Sequence, residues 1–446
     1  MKVTFMILNS SYTIEIFHNL DAVSSTVSFY REAVNYLLAP VLEHLKELKE
    51  ISGTMKRQQY IERLVHSTKS REAVYDFDVR FYKFPSYLRR AAITDAIGAV
   101  MSWNTNHENW EKEGRKGKEP KLGTDREVCP CFYRGNMFQH MEGTDTAMVK
   151  VYVNNDWVWR EVRLKKSDVR YLEKRMKQNR SAVISSPVIE KKPKGHYFLR
   201  FTITEEVTLS EKPVKEQRIC AVDLGVNTDA VCTVLDVHGT VLARKFILRG
   251  REKDSVRNAL HRVSVFQRLH GSHDVGRLWS VAKRRNENHA KLVAHDIVEF
   301  SIENDCDVIV FEYLDTAGKK HGSRRQLLSM WKHRDIQSTA ESLAHRYGMH
   351  ISRVNAWNTS RLAYDGSGEV KRGRGVSEDT PYSICRFANG KEYNCDLNAS
   401  CNIGARYMIR ELIKEVPDIM AEVPDIGSGT RRTLSDLWRV NRAMGW

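Results

Sequence analysis

Three acidic residues stand where short apolar runs end or where a helix begins. Asp223 interrupts Ile219-Cys-Ala-Val-Asp-Leu-Gly-Val226, a run otherwise suited to a buried strand, where a carboxylate needs a partner or a metal ion to offset its lost hydration. Glu312 closes Val308-Ile-Val-Phe-Glu-Tyr-Leu314 in the same way. Asp396 opens Asp396-Leu-Asn-Ala-Ser-Cys-Asn-Ile-Gly-Ala-Arg406, and a negative charge suits a helix start. Taken singly, such an acid is more often a cap, a turn former or an ion-pair partner. Together they are the hard-oxygen ligands that phosphodiester hydrolysis asks for, holding two Mg²⁺ or Mn²⁺ ions about 3.5 to 4 Å apart. Asp223, Glu312 and Asp396 are therefore the expected metal ligands and catalytic residues.

The elements that must carry them follow from hydrophobic period. Lys2 to Phe17 is rich in Val, Phe, Ile, Thr and Tyr and reads as strand. Asp21 is the expected N-cap of a helix whose apolar positions run Val23, Val27, Tyr30, Val34, Leu38, Leu42 and Leu45, with a kink at Pro40. A second helix follows Pro85, with Leu88, Ala92, Ala96, Val100 and Trp103 on one face. The polar, basic stretch between Trp110 and Thr124 marks a linker or a phosphate-contacting loop. Beyond it the period becomes two, at Val149, Val151 and Val153, at Val158, Val162 and Leu164, and at Tyr197, Leu199, Phe201 and Ile203. A basic helical segment from Lys165 to Arg180 interrupts this barrel or sandwich. From Arg218 onward strands alternate with helices: a meander over 219–246, a helix at Ala290–Ile302 feeding Val308–Phe311, and a helix at Arg334–Tyr347 feeding Met349–Val354. The fold class is α/β, multidomain.

A net charge of +15 over 446 residues points to a polyanionic partner, because Lys and Arg gain by releasing counterions from phosphates. The candidate nucleic-acid contacts are Lys283, Arg284 and Arg285 before the second acid, Arg324 and Arg325 after it, Arg334 and Arg406 on helices, and Arg115, Lys116 and Lys118 in the first basic loop. Trp157, Trp159 and Trp331 could stack on bases, although aromatics at such positions more often pack in a core. No apolar run is long enough to span a membrane, and Met1 to Leu8 lacks the features of a signal peptide, so a cytoplasmic protein is expected. The eight cysteines are too scattered to make a disulfide framework. Cys129-Pro-Cys131 with His140 lacks the spacing and fourth ligand of a metal site.

The order strand-Asp-x-Gly, strand-Glu-x-Leu and Asp-x-Asn-Ala-x-x-Asn-Ile resembles the RuvC nuclease domain, an RNase H-like fold. More narrowly it resembles transposon-encoded TnpB and the compact type V CRISPR effectors. Trp331 with Arg334, Gly348 before Ile351–Asn355, and Thr359-Ser360 match in the same order. The resemblance implies a β-barrel (wedge) at 1–20 and 126–215, a helical recognition insertion at 21–125, and a RuvC domain at 216–446. It also implies an RNA-guided DNA endonuclease of bacteria or archaea that binds guide RNA and double- and single-stranded target DNA, with Mg²⁺ or Mn²⁺ as cofactor and a homodimer as one available assembly. The alternative it carries is an RNA-guided DNA-binding repressor derived from such a nuclease; a guide-free resolvase or transposase of the same fold is a second. Where the family usually has two Cys-x-x-Cys pairs, 358–395 keeps Cys385 without its partners, and Cys395 and Cys401 do not replace them. This is a degenerate zinc-finger-like insertion, and no zinc is expected there.

Overall fold

A computed structural model describes residues 5–123, 128–140, 142–179, 181–192, 195–271, 274–314, 329–419, 423 and 429–446. The chain divides into two units, Asn9–Glu206 and a second made of Met1–Leu8 with Val207–Trp446.

In the first unit, the change of period seen in the sequence becomes a sheet packed with helices. Its helices are α1 (Leu20–Glu43), α2 (Leu45–Glu50), α3 (Thr54–Val65), α4 (Phe77–Arg80), α5 (Ser86–Lys112) and α6 (Lys166–Gln178). Its strands are β1 (Phe5–Phe17), β2 (Phe138–His140), β3 (Thr146–Val153), β4 (Asp156–Leu164), β5 (Val183–Ile184), β6 (Val188–Lys192) and β7 (His196–Thr208). They form a seven-stranded sheet in the order β2-β3-β4-β1-β7-β5, with β6 also on β7. Asn154 and Asn155 both take positive φ, 50° and 57°, which is the turn that a two-residue hairpin between β3 and β4 requires. One core runs through the unit from Ile14 on β1 through Val27 and Leu37 on α1 and Ile93 on α5 to Ile203 on β7, so helices and sheet share it. The helix boundary differs from expectation at α1. The cap is Asn19 in left-handed conformation, and Asp21 lies inside the first turn, where its charge meets the helix dipole. Pro40 lies within α1, which continues to Glu43.

The second unit has a five-stranded sheet in the order β10-β9-β8-β11-β12. Its strands are β8 (Ile219–Leu224), β9 (Ala230–Leu235), β10 (Val241–Ile247), β11 (Val308–Tyr313) and β12 (His350–Asn355). β8, β9 and β10 form the antiparallel meander, while β8, β11 and β12 run parallel. Helices α7 (Gly250–His270), α8 (Gly276–Glu303) and α9 (His333–Arg346) precede or follow β11, and α10 (Cys395–Glu415) and α11 (Leu434–Ala443) close the chain. The parallel strands are apolar on both faces, as a sheet covered on both sides demands. Ile219, Ala221, Val308 and Val310 pack toward α10. Cys220, Val222, Ile309 and Phe311 pack toward α8 and α9. Between β12 and α10 lies a small sheet of β13 (Lys371–Arg372), β14 (Ile384–Arg386) and β15 (Glu392–Asn394).

Gly404 sets how closely α10 approaches the sheet. A Cβ there would lie 2.2 Å from Leu235 Cδ1 and 3.2 Å from Ala221 Cβ. Gly404→Val is therefore expected to destabilise the protein by about 1–3 kcal/mol through overpacking, measured by urea unfolding. An unchanged midpoint would mean that α10 does not lie against β8 and β9 in this way.

Candidate active site

Strand alternation puts the first two acids on one face. Parallel pairing of β8 with β11 extends to Val222 opposite Phe311, so Asp223 and Glu312 are the next residues on adjacent strands. Such strands are about 4.8 Å apart. Asp223 continues the series Ile219, Ala221, and Glu312 continues Val308, Val310, so both side chains belong to the face that α10 covers. Asp396 is in the first turn of α10, whose cap Asn394 accepts hydrogen bonds from the backbone N–H groups of Asp396 and Leu397 at 3.0 and 2.9 Å. With Asn394 satisfying those orphan donors, the Asp396 carboxylate is not spent on capping its own helix.

The electrostatics place the three acids within one another's field. Burial pushes the Asp223 carboxyl well above the usual range, and the charges of Glu312 and Asp396 push it further, while Arg372 opposes them. Glu312 is 7% exposed. Burial raises its carboxyl too, against a hydrogen bond from Thr359 and the charge of Arg406. Its Oε1 is buried with no hydrogen-bond partner, which is costly for a carboxylate oxygen. Among the described residues no group of three or more His, Cys, Asp or Glu side chains is placed to hold a metal ion as it stands. What the site holds instead is mutual repulsion plus an unsatisfied acceptor, and both fit a divalent cation, which would relieve the one and satisfy the other.

The rest of the Asp-x-Asn-Ala-x-x-Asn-Ile pattern has a different task. Asn398 and Asn402 are fully buried. Asn398 donates to Leu362 O at 2.8 Å and accepts from Tyr364 N at 2.8 Å. Asn402 donates to Thr359 O and Leu362 O, both at 2.9 Å. The two amides pin the backbone of 359–364, and with it Thr359 beside Glu312, while the Thr359 hydroxyl donates to Ala356 O at 3.0 Å.

Arg406 corrects one expectation. It is 3% exposed and donates to four backbone carbonyls: Asn355 and Trp357 from Nη1, Thr430 from Nη2 and Arg432 from Nε, at 2.8 to 3.1 Å. Burial lowers its pKa to about 10. Buried, and with four of its five N–H groups given to loop carbonyls, it is not placed to grip a phosphate, and its helical position alone could not reveal this. Lys283, Arg284 and Arg285 are exposed on α8, where Arg285 also donates to Ser255 O at 3.0 Å. Arg334 is exposed in the first turn of α9. Arg115, Lys116 and Lys118 are exposed in the other unit, with Arg115 paired to Glu111 at 3.4 Å. Arg324 and Arg325 lie outside the described residues. Trp157 packs in an aromatic cluster with Phe29, Phe84 and Tyr152, and Trp331 packs on the core beside His333.

Arg372 was not singled out by the sequence. Its Nε and Nη2 are buried without a hydrogen-bond partner, and it is the cation facing Asp223. It lies on β13, in the small three-stranded sheet. The core there is Ala363, Cys385, Phe387 and Cys395 with Tyr364, Val370 and Tyr393 packed on it. Lys391 Nζ lies 4.8 Å from the Tyr364 ring centre and 5.2 Å from that of Tyr393. The eight thiols are unbonded to one another; Cys131 is pushed up to about 11 by burial and by Asp95.

With this geometry in hand, comparison with known proteins gives the fold. The chain is similar to the protein in the cryo-EM structure of a Cas12f1-sgRNA-target DNA complex at 13% identity and TM-score 0.50, covering 90% of this chain and 98% of that one. C2c1 of Alicyclobacillus acidoterrestris, solved with single-guide RNA, matches at 12% identity and TM-score 0.42 over 86% of this chain and 69% of that one. The fold is thus the multidomain α/β fold of the Cas12f1 chain. The model of the Aq_aa04 family matches residues 10–153. No curated protein matches the sequence. Among the described residues no helix is long and apolar enough to cross a membrane.

Because Asp223 is penalised for being ionised inside the fold, the metal-free protein loses stability as pH rises from the ordinary Asp range, about 3.9, through the raised folded value. Asp223→Asn should flatten that fall and stabilise the metal-free protein at neutral pH by roughly 1 kcal/mol, the scale of one partly screened repulsion. Calorimetry across pH checks this. A variant no more stable than the parent would mean that the three acids do not repel one another.

Proposed function

We propose that the chain is a guide-directed nuclease that cuts DNA at one centre built from Asp223, Glu312 and Asp396, working in complex with an RNA. What supports the reading is that Asp223 and Glu312 stand on adjacent strands, that the charges of Glu312 and Asp396 both act on Asp223, and that Glu312 Oε1 is unsatisfied. The likeness to a chain solved with guide RNA and target DNA, spanning nearly the whole length of both, supports an RNA and a DNA as partners. The net charge of +15 supports the same class of partner.

In this reading the three carboxylates are the ligands of Mg²⁺ or Mn²⁺. Such ions, when bound, activate the attacking water and stabilise the leaving oxygen. Thr359 beside Glu312 opposes the rise that burial imposes on that carboxyl, and Asn402 holds the Thr359 carbonyl. Arg372 keeps a positive charge beside Asp223, and its buried, unpartnered Nε and Nη2 form the planar fork that suits a phosphate brought to the site. A guide-directed repressor of the same fold has no need of this acid cluster or of its electrostatic cost.

The test is to purify the protein from cells, sequence the RNA that accompanies it, and assay that complex on matched DNA with Mg²⁺. Asp223→Ala or Glu312→Ala should lower cleavage by about 10³-fold or more while matched DNA is still bound. Arg372→Ala should lower it by about 10²-fold, as loss of one charge-stabilising donor does. Binding lost together with cleavage in both acid variants would make the acids structural, and unaffected cleavage would end the nuclease reading.

A further inference from the structure

Beyond the end of β12, the segment Asn355-Ala-Trp-Asn-Thr359 is held with unusual firmness for a surface turn. Asn355 Oδ1 accepts from Trp357 N at 2.8 Å. Arg406, from underneath, donates to the carbonyls of both Asn355 and Trp357 at 2.8 Å. Asn402 holds the carbonyl of Thr359. Asn358 has φ of 65°, a left-handed conformation that a non-glycine residue adopts at a cost and keeps when its surroundings impose it. The turn therefore has two sides. Thr359 is buried and faces Glu312, while the indole of Trp357 is 68% exposed.

Tyr313 adds a second exposed ring. It follows Glu312 directly, pairs with Asn355 in the parallel register of β11 and β12, and is 67% exposed. Large rings left in water at the carboxyl ends of parallel strands are notable on two counts. Tryptophan is highly buried on average, and that edge is where ligands of open α/β sheets bind. Nothing in the packing requires either ring to be there, since neither belongs to the hydrophobic clusters on the two faces of the sheet.

We propose that Trp357, together with Tyr313, is a stacking platform for unpaired bases of the single strand delivered to the acid centre. The inference rests on the nuclease reading for its purpose but on the turn's geometry for its substance. A ring carried on so firmly held a turn requires no ordering of backbone when a base stacks on it, and stacking tolerates any sequence because every base has a π-face. Bases within a duplex already have both faces covered. The platform consequently favours single-stranded over double-stranded nucleic acid, and it does so without adding charge.

The experiment uses the full-length protein with its copurified RNA and a fluorescein-labelled deoxythymidine 12-mer, with a blunt duplex as control, in buffer without divalent ions. Trp357→Ala should weaken single-strand binding about tenfold, Tyr313→Ala by less, and Trp357→Phe should restore most of the loss. Duplex binding and the dependence of binding on salt should not change, because no phosphate contact is removed. A 12-mer carrying 5-iododeoxyuridine, irradiated with the unaltered protein, should crosslink to the peptide that holds Trp357 or to that of Tyr313. Unchanged single-strand affinity in Trp357→Ala, equal losses for duplex and single strand, or crosslinks confined to other peptides would overturn the platform. So would a Trp357→Ala protein that changes its oligomeric state, since the ring would then serve a protein interface. Cleavage by Asp223→Ala is a separate readout. If it is lost while Trp357→Ala binds normally, only the platform fails; if it persists, the nuclease reading fails whatever Trp357 does.

Discussion

The site depends on a helix that is polar where it is most deeply buried. Between Asp396 and Arg406, α10 carries Asn398, Asn402 and Arg406 at 0%, 0% and 3% exposure, and each donates to backbone carbonyls of the loops that follow β12 or precede α11. Buried amides and guanidinium groups are expensive unless their hydrogen bonds are made, and here the bonds go to main chain that has no sheet or helix of its own to satisfy it. One face of the helix packs on β8 and β9 at the distance Gly404 allows, and the polar face fixes irregular backbone. The acids at its start and on the strands inherit their positions from both.

This arrangement accepts a local penalty. The charges of Glu312 on the adjacent strand and Asp396 at the helix start add to burial in raising the proton affinity of Asp223, and Glu312 keeps an unsatisfied oxygen. A protein selected only for stability would replace one of them. Features that oppose folding and persist in a well-packed surround are those most easily explained by a ligand. Arg372 and the Thr359 hydroxyl moderate the penalty without neutralising it, so the cluster remains negative enough to attract a divalent ion. The small sheet that carries Arg372 is held by aromatic rings and Lys391 around Cys385 and Cys395, which gives it a core of its own.

Much of this was legible in the residues. Asp223 and Glu312 stood out because each breaks an otherwise apolar strand, and period alone fixed those strands to within a residue or two. The helix after Pro85 and the strands through Val149 to Val153 and Val158 to Leu164 followed from the same pattern. What escaped was set by distant contacts. Arg406 looked like a phosphate ligand because sequence gives a charge but not the four carbonyls it meets. Asp21 looked like a cap because the left-handed turn at Asn19 has no strong local signal. The helix Gly250–His270 was missed for its many charged positions. Arg372 and Trp357 were passed over because one owes its role to a tertiary neighbour on β8 and the other to a turn clamped from below.

The most direct test is the anomalous scattering of a crystal of the protein soaked in Mn²⁺. The account predicts two manganese peaks about 3.5 to 4 Å apart, both within ligand distance of oxygens from Asp223, Glu312 and Asp396. A map without density there, with the three side chains turned apart and engaged in separate ion pairs, would contradict it.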